Sequence, residues 1–229
     1  MPRLLAVLIA CLALVLAGCG GDDEPTASET PAATEAAASE FLPEGCEDVQ
    51  KPAPKEVGEL KKPTEKLDKS KTYVATLATT CGDIEITLDS KQSPITGGSF
   101  KYLADQKFFD GLTFHRIVPD FVIQGGDPAG DGSGGPGYSV EEAPPSDLTY
   151  TDGIVAMAKT ETEPAGTSGS QFFVVTGEDT GLPPDYALLG EVTEGMENVD
   201  KIAAVETVPP EDGEPTAPIV IESITIEEG

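Results

Sequence analysis

His115, Arg116 and Gln124 stand close together in Phe114 to Asp127 (FHRIVPDFVIQGGD), among apolar residues in segments that alternate as strands do. An arginine brings a charged planar fork of donors, a glutamine one donor group and one acceptor, and a histidine a movable proton. Arginine is seldom buried without a partner, so Arg116 either faces solvent or lines a cleft. His115 has no Ser or Cys to activate and no carboxylate to orient it, so it reads as structural. It is also the chain's only histidine, and neither Cys46 nor Cys81 stands in a CxxC, so no metal site is expected.

Short strands must carry these groups. Tyr73 to Thr79 and Asp83 to Leu88 flank a turn at Cys81-Gly82, the pattern of a hairpin. Ser93 as N-cap and Pro94 at the first turn start a helix that Gly97 and Gly98 weaken. Leu112 to Val118 and Phe121 to Gln124 read as strands, followed by a glycine-rich surface loop with no phosphate-binding context. Ile154 to Lys159, Gln171 to Thr176, Ala187 to Val192 and Ile219 to Ile226 add more strands, and Gly195 to Ala204 has helical spacing. Many short antiparallel strands around one core point to a sandwich or a barrel.

The chain opens with Met1-Pro2-Arg3, runs apolar from Leu4 to Leu16 and ends that run on Leu16-Ala17-Gly18-Cys19. Such a segment is an export signal rather than a membrane span, and its ending resembles the bacterial lipobox, in which the cysteine receives lipid. An ordinary secreted protein or an uncleaved anchor are the alternatives. The reading divides the chain into a lipoprotein signal at 1–18, an acidic tether at 19–40, an arm at 41–70 and a folded domain at 71–229. Cys19 is the lipid acceptor, and the protein is expected on the extracytoplasmic side of a membrane in the bacterial cell envelope. In that oxidising setting Cys46 and Cys81 form one disulfide or remain two free thiols. Lys+Arg 14 against Asp+Glu 41 gives a net charge of −27, which excludes nucleic acid as a partner. The positive residues between Lys51 and Lys71 are interleaved with acidic ones and read as solvated surface.

From about Lys71 onward the motifs Phe109-Asp110-Gly111, Phe114 to Pro119, Phe121 to Asp127, Met157-Ala158, Gly169 to Phe173, Gly190 to Val192 and Gly195-Met196 occur in order. In this series the chain resembles the cyclophilin-type peptidyl-prolyl cis-trans isomerases. The resemblance implies a mainly β fold, a closed eight-stranded antiparallel barrel capped by two α-helices, with the site on the outer face of one sheet. It implies Arg116 as the catalytic arginine, with Gln124 holding it and Gln171 as a further polar group at the substrate backbone. Phe121, Val122, Phe173, Leu182, Tyr186 and Leu189 are the implied proline-pocket walls, and Ala158 and Lys159 the edge that pairs with substrate. Gly181 replaces a frequent tryptophan, which puts cyclosporin binding in doubt; Tyr186 replaces a frequent histidine; and the loop Thr160 to Thr167 is longer and more acidic than usual.

Rotation about an X-Pro bond faces a barrier of about 18–20 kcal/mol from amide resonance and needs neither cofactor nor nucleophile. The state to stabilise is the twisted amide, whose nitrogen gains a lone pair that Arg116 can meet. A barrier lowered by about 7 kcal/mol accelerates the step roughly 10⁵-fold. The expected protein is therefore a monomeric, lipid-anchored isomerase acting on Pro-containing exported polypeptides. The alternative is a module on the same barrel that binds such segments without turnover.

Overall fold

The computed structural model describes residues 42–58, 60–209 and 213–229. The expected signal, Cys19 and the tether lie outside the described residues. Among the described residues ten strands and two helices follow in order: β1 (Tyr73–Thr79), β2 (Ile84–Leu88), α1 (Pro94–Asp105), β3 (Leu112–Val118), β4 (Val122–Gly125), β5 (Val140–Glu141), β6 (Ile154–Met157), β7 (Thr167–Ser168), β8 (Phe172–Val175), β9 (Leu188–Glu194), α2 (Met196–Ala203) and β10 (Val220–Glu228). Eight of them close an antiparallel barrel in the order β1-β10-β3-β4-β8-β6-β9-β2, and β5 pairs with β7 outside it.

Alternation makes the wall. In β1 and β2 every second residue is buried, so Tyr73, Ala75, Leu77, Ile84, Ile86 and Leu88 fill the interior while their neighbours face outward. Phe100 and Leu103 of α1, and Val199 and Ile202 of α2, join the same interior cluster. Phe100 stacks 4.8 Å from Phe109 and edge-on to Phe172 at 5.6 Å, which ties α1 to the barrel through aromatic packing.

Ser93 stands at the N-cap of α1 but its side chain makes no capping bond. Glu142, just beyond β5, takes that role: its Oε2 accepts the Ile95 and Thr96 N–H groups at 2.9 and 2.8 Å. A carboxylate there satisfies two orphan donors and meets the positive end of the helix dipole.

The arm lies on the barrel and is held at several points. Cys46 and Cys81 form a disulfide across a sequence separation of 35. Lys55 donates from Nζ to the carbonyls of Lys107, Phe108 and Asp110 at 2.8, 3.0 and 2.9 Å, stapling the chain that follows α1. Leu67 is buried, its N–H donates to Pro94 O at 3.0 Å, and its side chain fills the space left by Gly97.

Gly98 is there because the arm backbone runs over it. A Cβ at 98 would meet Glu65 O at 2.6 Å and Lys66 Cα at 2.9 Å, and backbone atoms do not yield as a flexible side chain does. By propensity alone Gly98→Ala gains roughly 1 kcal/mol. We predict the opposite sign: urea denaturation finds the variant less stable than wild type, and proteolysis finds the arm near 60–67 cut faster. A stabilised variant with an unchanged arm would contradict this packing.

Candidate active site

The central strands use both of their faces. In β8, Phe172 and Val174 join the interior cluster, while Phe173 and Val175 belong to a second apolar cluster on the outside. β6 divides Val155 and Met157 from Ala156 in the same way, and β4 divides Ile123 from Val122. Tyr150 and the half-buried Phe121, Leu148, Ile154, Ala158, Leu182 and Tyr186 complete the outer cluster. The expected wall residues Phe121, Val122, Ala158, Phe173, Leu182 and Tyr186 are thus brought together.

Leu189 is not among them. It is fully buried in the barrel interior. The reason is a register shift in which Val155 pairs with Gly190 but Ala156 pairs with Leu188, leaving Leu189 between them and turned inward.

A second irregularity aims the arginine. Phe114 pairs with Gly125 and Arg116 with Gln124, with the register shifting between Phe114 and Arg116. Strict alternation from buried Phe114 would send Arg116 inward as well; the extra residue at the bulge lets it face the outer cluster. Its Cζ lies 5.9 Å from the centroid of the Phe121 ring. Among the described residues the guanidinium has no ion pair.

Gly213 holds the arginine stem from the other side. Its carbonyl accepts the Ile117 N–H at 2.7 Å, and a Cβ at 213 would press on Ile117 O at 2.6 Å and on Arg116 Cγ at 3.1 Å. With φ +75° as well, the position favours glycine on two counts.

Gln124 stands beside Arg116 in register, but its Nε2 donates to Gln171 Oε1 at 2.9 Å. Gln171 Nε2 in turn donates to the carbonyls of Gly132 and Gly134, both at 2.9 Å. The expected support of Arg116 by Gln124 is replaced by a chain that ends in the glycine loop.

That loop is built rather than loose. Asp127, 1% exposed, accepts the N–H groups of Ala129, Asp131 and Gly132 and winds the loop around its carboxylate. The wound loop, Gln124, Gln171, Ala158 and Lys159 line a groove of about 500 Å³ beside the apolar cluster.

Tyr150 is a residue the sequence reading passed over. Its hydroxyl donates to Tyr186 O at 2.5 Å and accepts the Tyr186 N–H at 3.0 Å, so one phenol fixes both backbone groups of the wall residue. Burial pushes its pKa up to about 12, which keeps the hydroxyl a donor. Tyr150, Phe173 and Tyr186 then pack with centroids 5.5–6.2 Å apart. A lone aromatic in the polar stretch before β6 was the available signal.

Lys159 sits with Nζ 5.4 Å over the Tyr186 ring and donates to the carbonyls of Thr160 and Glu163 at 3.2 and 3.3 Å. The Glu163 carboxylate accepts from both the N–H and the hydroxyl of Thr160. The acidic loop is therefore folded on itself.

His115 lies behind the site, and neither ring nitrogen has a hydrogen-bond partner among the described residues. Burial lowers its pKa; Asp127 opposes that and Arg116 adds to it. A histidine kept neutral when folded lets the unfolded chain bind more protons below its ordinary value of 6.5, so its contribution to stability is present above that pH and lost as pH falls through it. We expect unfolding free energy to drop less between pH 7 and 5 in His115→Gln than in wild type. Equal pH slopes in the two proteins would contradict this.

An apolar pocket with room for a ring, flanked by a guanidinium that has no ion pair among the described residues and by a polar groove with backbone-pairing groups, suits an extended peptide with a tertiary amide at its centre. Nothing in that arrangement has to transfer a proton. The walls exclude water, which strengthens any contact between the guanidinium and a nitrogen lone pair that appears as the amide twists.

Comparison with known proteins points the same way. A family model described as cyclophilin type peptidyl-prolyl cis-trans isomerase/CLD matches residues 74–226. Peptidyl-prolyl cis-trans isomerase B of Streptomyces anulatus is 38% identical over 171 residues, covering 67% of this chain and 95% of the relative. Peptidyl-prolyl cis-trans isomerase A of Mycobacterium tuberculosis is 37% identical over 170 residues, 68% of this chain and 92% of the relative. The crystal structure of a Cryptosporidium parvum cyclophilin type peptidyl-prolyl cis-trans isomerase, solved in the presence of the dipeptide Ala-Pro, is similar with a TM-score of 0.62 and 28% identity, covering 67% of this chain and 98% of that one.

Proposed function

The chain belongs to the cyclophilin-type peptidyl-prolyl cis-trans isomerase family, and from that premise we propose that it accelerates X-Pro rotation in exported proteins while held at a membrane by lipid on Cys19. The single observation that carries the catalytic part is Arg116, turned out by the β3 bulge beside Phe121 with no ion pair among the described residues. Proline rings enter the pocket of Phe121, Val122, Phe173, Leu182 and Tyr186, and the substrate backbone lies along the groove of Gln171, Ala158 and Lys159. Arg116 contacts the proline nitrogen only as it turns pyramidal, so its interaction energy is realised in the transition state rather than in the bound ground state.

The setting rests on the sequence. The apolar run closing on Leu16-Ala17-Gly18-Cys19 supports export and lipid attachment. Outside the cytoplasm, proline isomerisation takes tens of seconds when uncatalysed and limits refolding. The test has two arms. Refolding of an unfolded exported protein with a slow proline-limited phase is expected to speed up on adding wild type; no change in that phase would overturn the folding-helper reading. Replacing Cys19 with serine is expected to move the protein from the membrane to the soluble fraction, and retention there would overturn the anchor.

A further inference from the structure

Half of the chain's 14 Lys and Arg residues fall between Lys51 and Lys71, in a protein whose net charge is −27. The fold sorts them. Lys51 pairs with Glu214 at 3.6 Å, Lys55 is spent on the carbonyls after α1, and Lys71 pairs with Glu228. Like Lys69, Lys61, Lys62 and Lys66 have no ion pair among the described residues and are exposed. These three line one groove of about 470 Å³ over α1, with Tyr73 and Tyr102 beside them.

The acidic side chains in that groove do not cancel them. Asp105 is taken by Lys101 at 2.7 Å and Glu228 by Lys71, which leaves Glu65 against three free lysines. The groove is also rigid. Its arm segment is fixed by buried Leu67, and the Glu65 and Lys66 backbone packs directly on Gly98. A flexible basic tail would lose more entropy on docking than this preformed surface does.

We propose that this groove is a docking surface for the anionic headgroups of a membrane, and that it orients the barrel with its isomerase face away from the bilayer. The orientation follows from topology. Tyr73 and Glu228 of the groove belong to β1 and β10, and β1 lies four strands from β8 whichever way the closed barrel is followed. Phe173 and the Gln171 groove therefore stand on the opposite wall. Salt screens charges over about 10 Å at 0.1 M, so near an anionic surface the three lysines are felt while acids across the barrel are largely screened. The proposal rests on the lipid-anchor reading for proximity, and on the charge pattern alone for docking.

Lysine-acylation footprinting separates the two. Protein purified from membranes is reconstituted with phosphatidylcholine vesicles and with vesicles also containing phosphatidylglycerol. Co-flotation with phosphatidylcholine alone reads the anchor; labelling reads the docking. Labelling of Lys61, Lys62 and Lys66 is expected to fall about 10-fold on the phosphatidylglycerol vesicles, with Lys159 on the opposite wall unchanged, and to recover in high salt. In Lys61→Gln/Lys62→Gln the protection of Lys66 is expected to be lost while isomerase activity in detergent stays at the wild-type level. Equal labelling on both vesicles, protection shared by Lys159, or equal protection by soluble glycerol phosphate would overturn the docking whether or not the protein floats.

Discussion

Arg116→Ala is expected to lower kcat/KM for a short Pro peptide by roughly 10²–10³-fold, the loss seen when one preorganised donor to a developing charge is removed, about 2.7–4 kcal/mol. The fold should survive it. Arg116 is half-buried on the outside of the barrel, without an ion pair among the described residues, and its ring contact with Phe121 is at 5.9 Å. Far-UV circular dichroism and the denaturation midpoint should stay close to those of wild type. A variant that keeps more than a third of wild-type kcat/KM would leave the pocket and the Gln124–Gln171 chain to explain the rate, and the assignment of Arg116 would fall.

Loss of the Cys46–Cys81 bond is expected to have the opposite profile: a large effect on stability and none on turnover. A loop with a separation of 35 residues corresponds to about 3–4 kcal/mol in the chain-entropy model. Cys46→Ser/Cys81→Ser should therefore unfold at clearly lower urea, while its kcat/KM at 25 °C stays within twofold of wild type. The separation of effects has a structural cause. The bond joins the arm to the turn between β1 and β2, across the barrel from β4 and β8. Lys55 and Leu67 continue to hold other parts of the arm. An unchanged denaturation midpoint, or activity lost in step with stability, would contradict this division between arm and site.

Much of the barrel was legible because two-residue periodicity is a local property. Tyr73 to Thr79 and Leu112 to Val118 are strands with the bounds their pattern implies, and Pro94 does open α1. Features set by distant contacts were not legible. The cap on α1 comes from Glu142, 46 and 47 residues from the N–H groups it receives, so no local spacing could reveal it. β5 and β7 are two residues each, too short for any alternation. The site shows the same split. Residue types pointed to Arg116 and Gln124, and the family resemblance added Gln171 and Phe173, but strict alternation alone would have placed Arg116 on the same side as buried Phe114. The bulge that turns it outward, and the one that turns Leu189 inward, are properties of strand pairing. Likewise the glycines after Gly126 look like a loose loop until Asp127 is seen inside it, accepting three N–H groups.

The claim that Arg116 acts on the rotating bond, not on binding, is tested most directly by exchange NMR on a saturating Pro peptide with wild type and Arg116→Lys. Lysine keeps the charge but loses the planar fork. The predicted result is a dissociation constant within about threefold of wild type and an on-enzyme cis-trans rate lower by 10-fold or more, on the order of 1.4 kcal/mol. A variant whose bound peptide still interconverts at the wild-type rate, with the whole loss appearing in the dissociation constant, would contradict it.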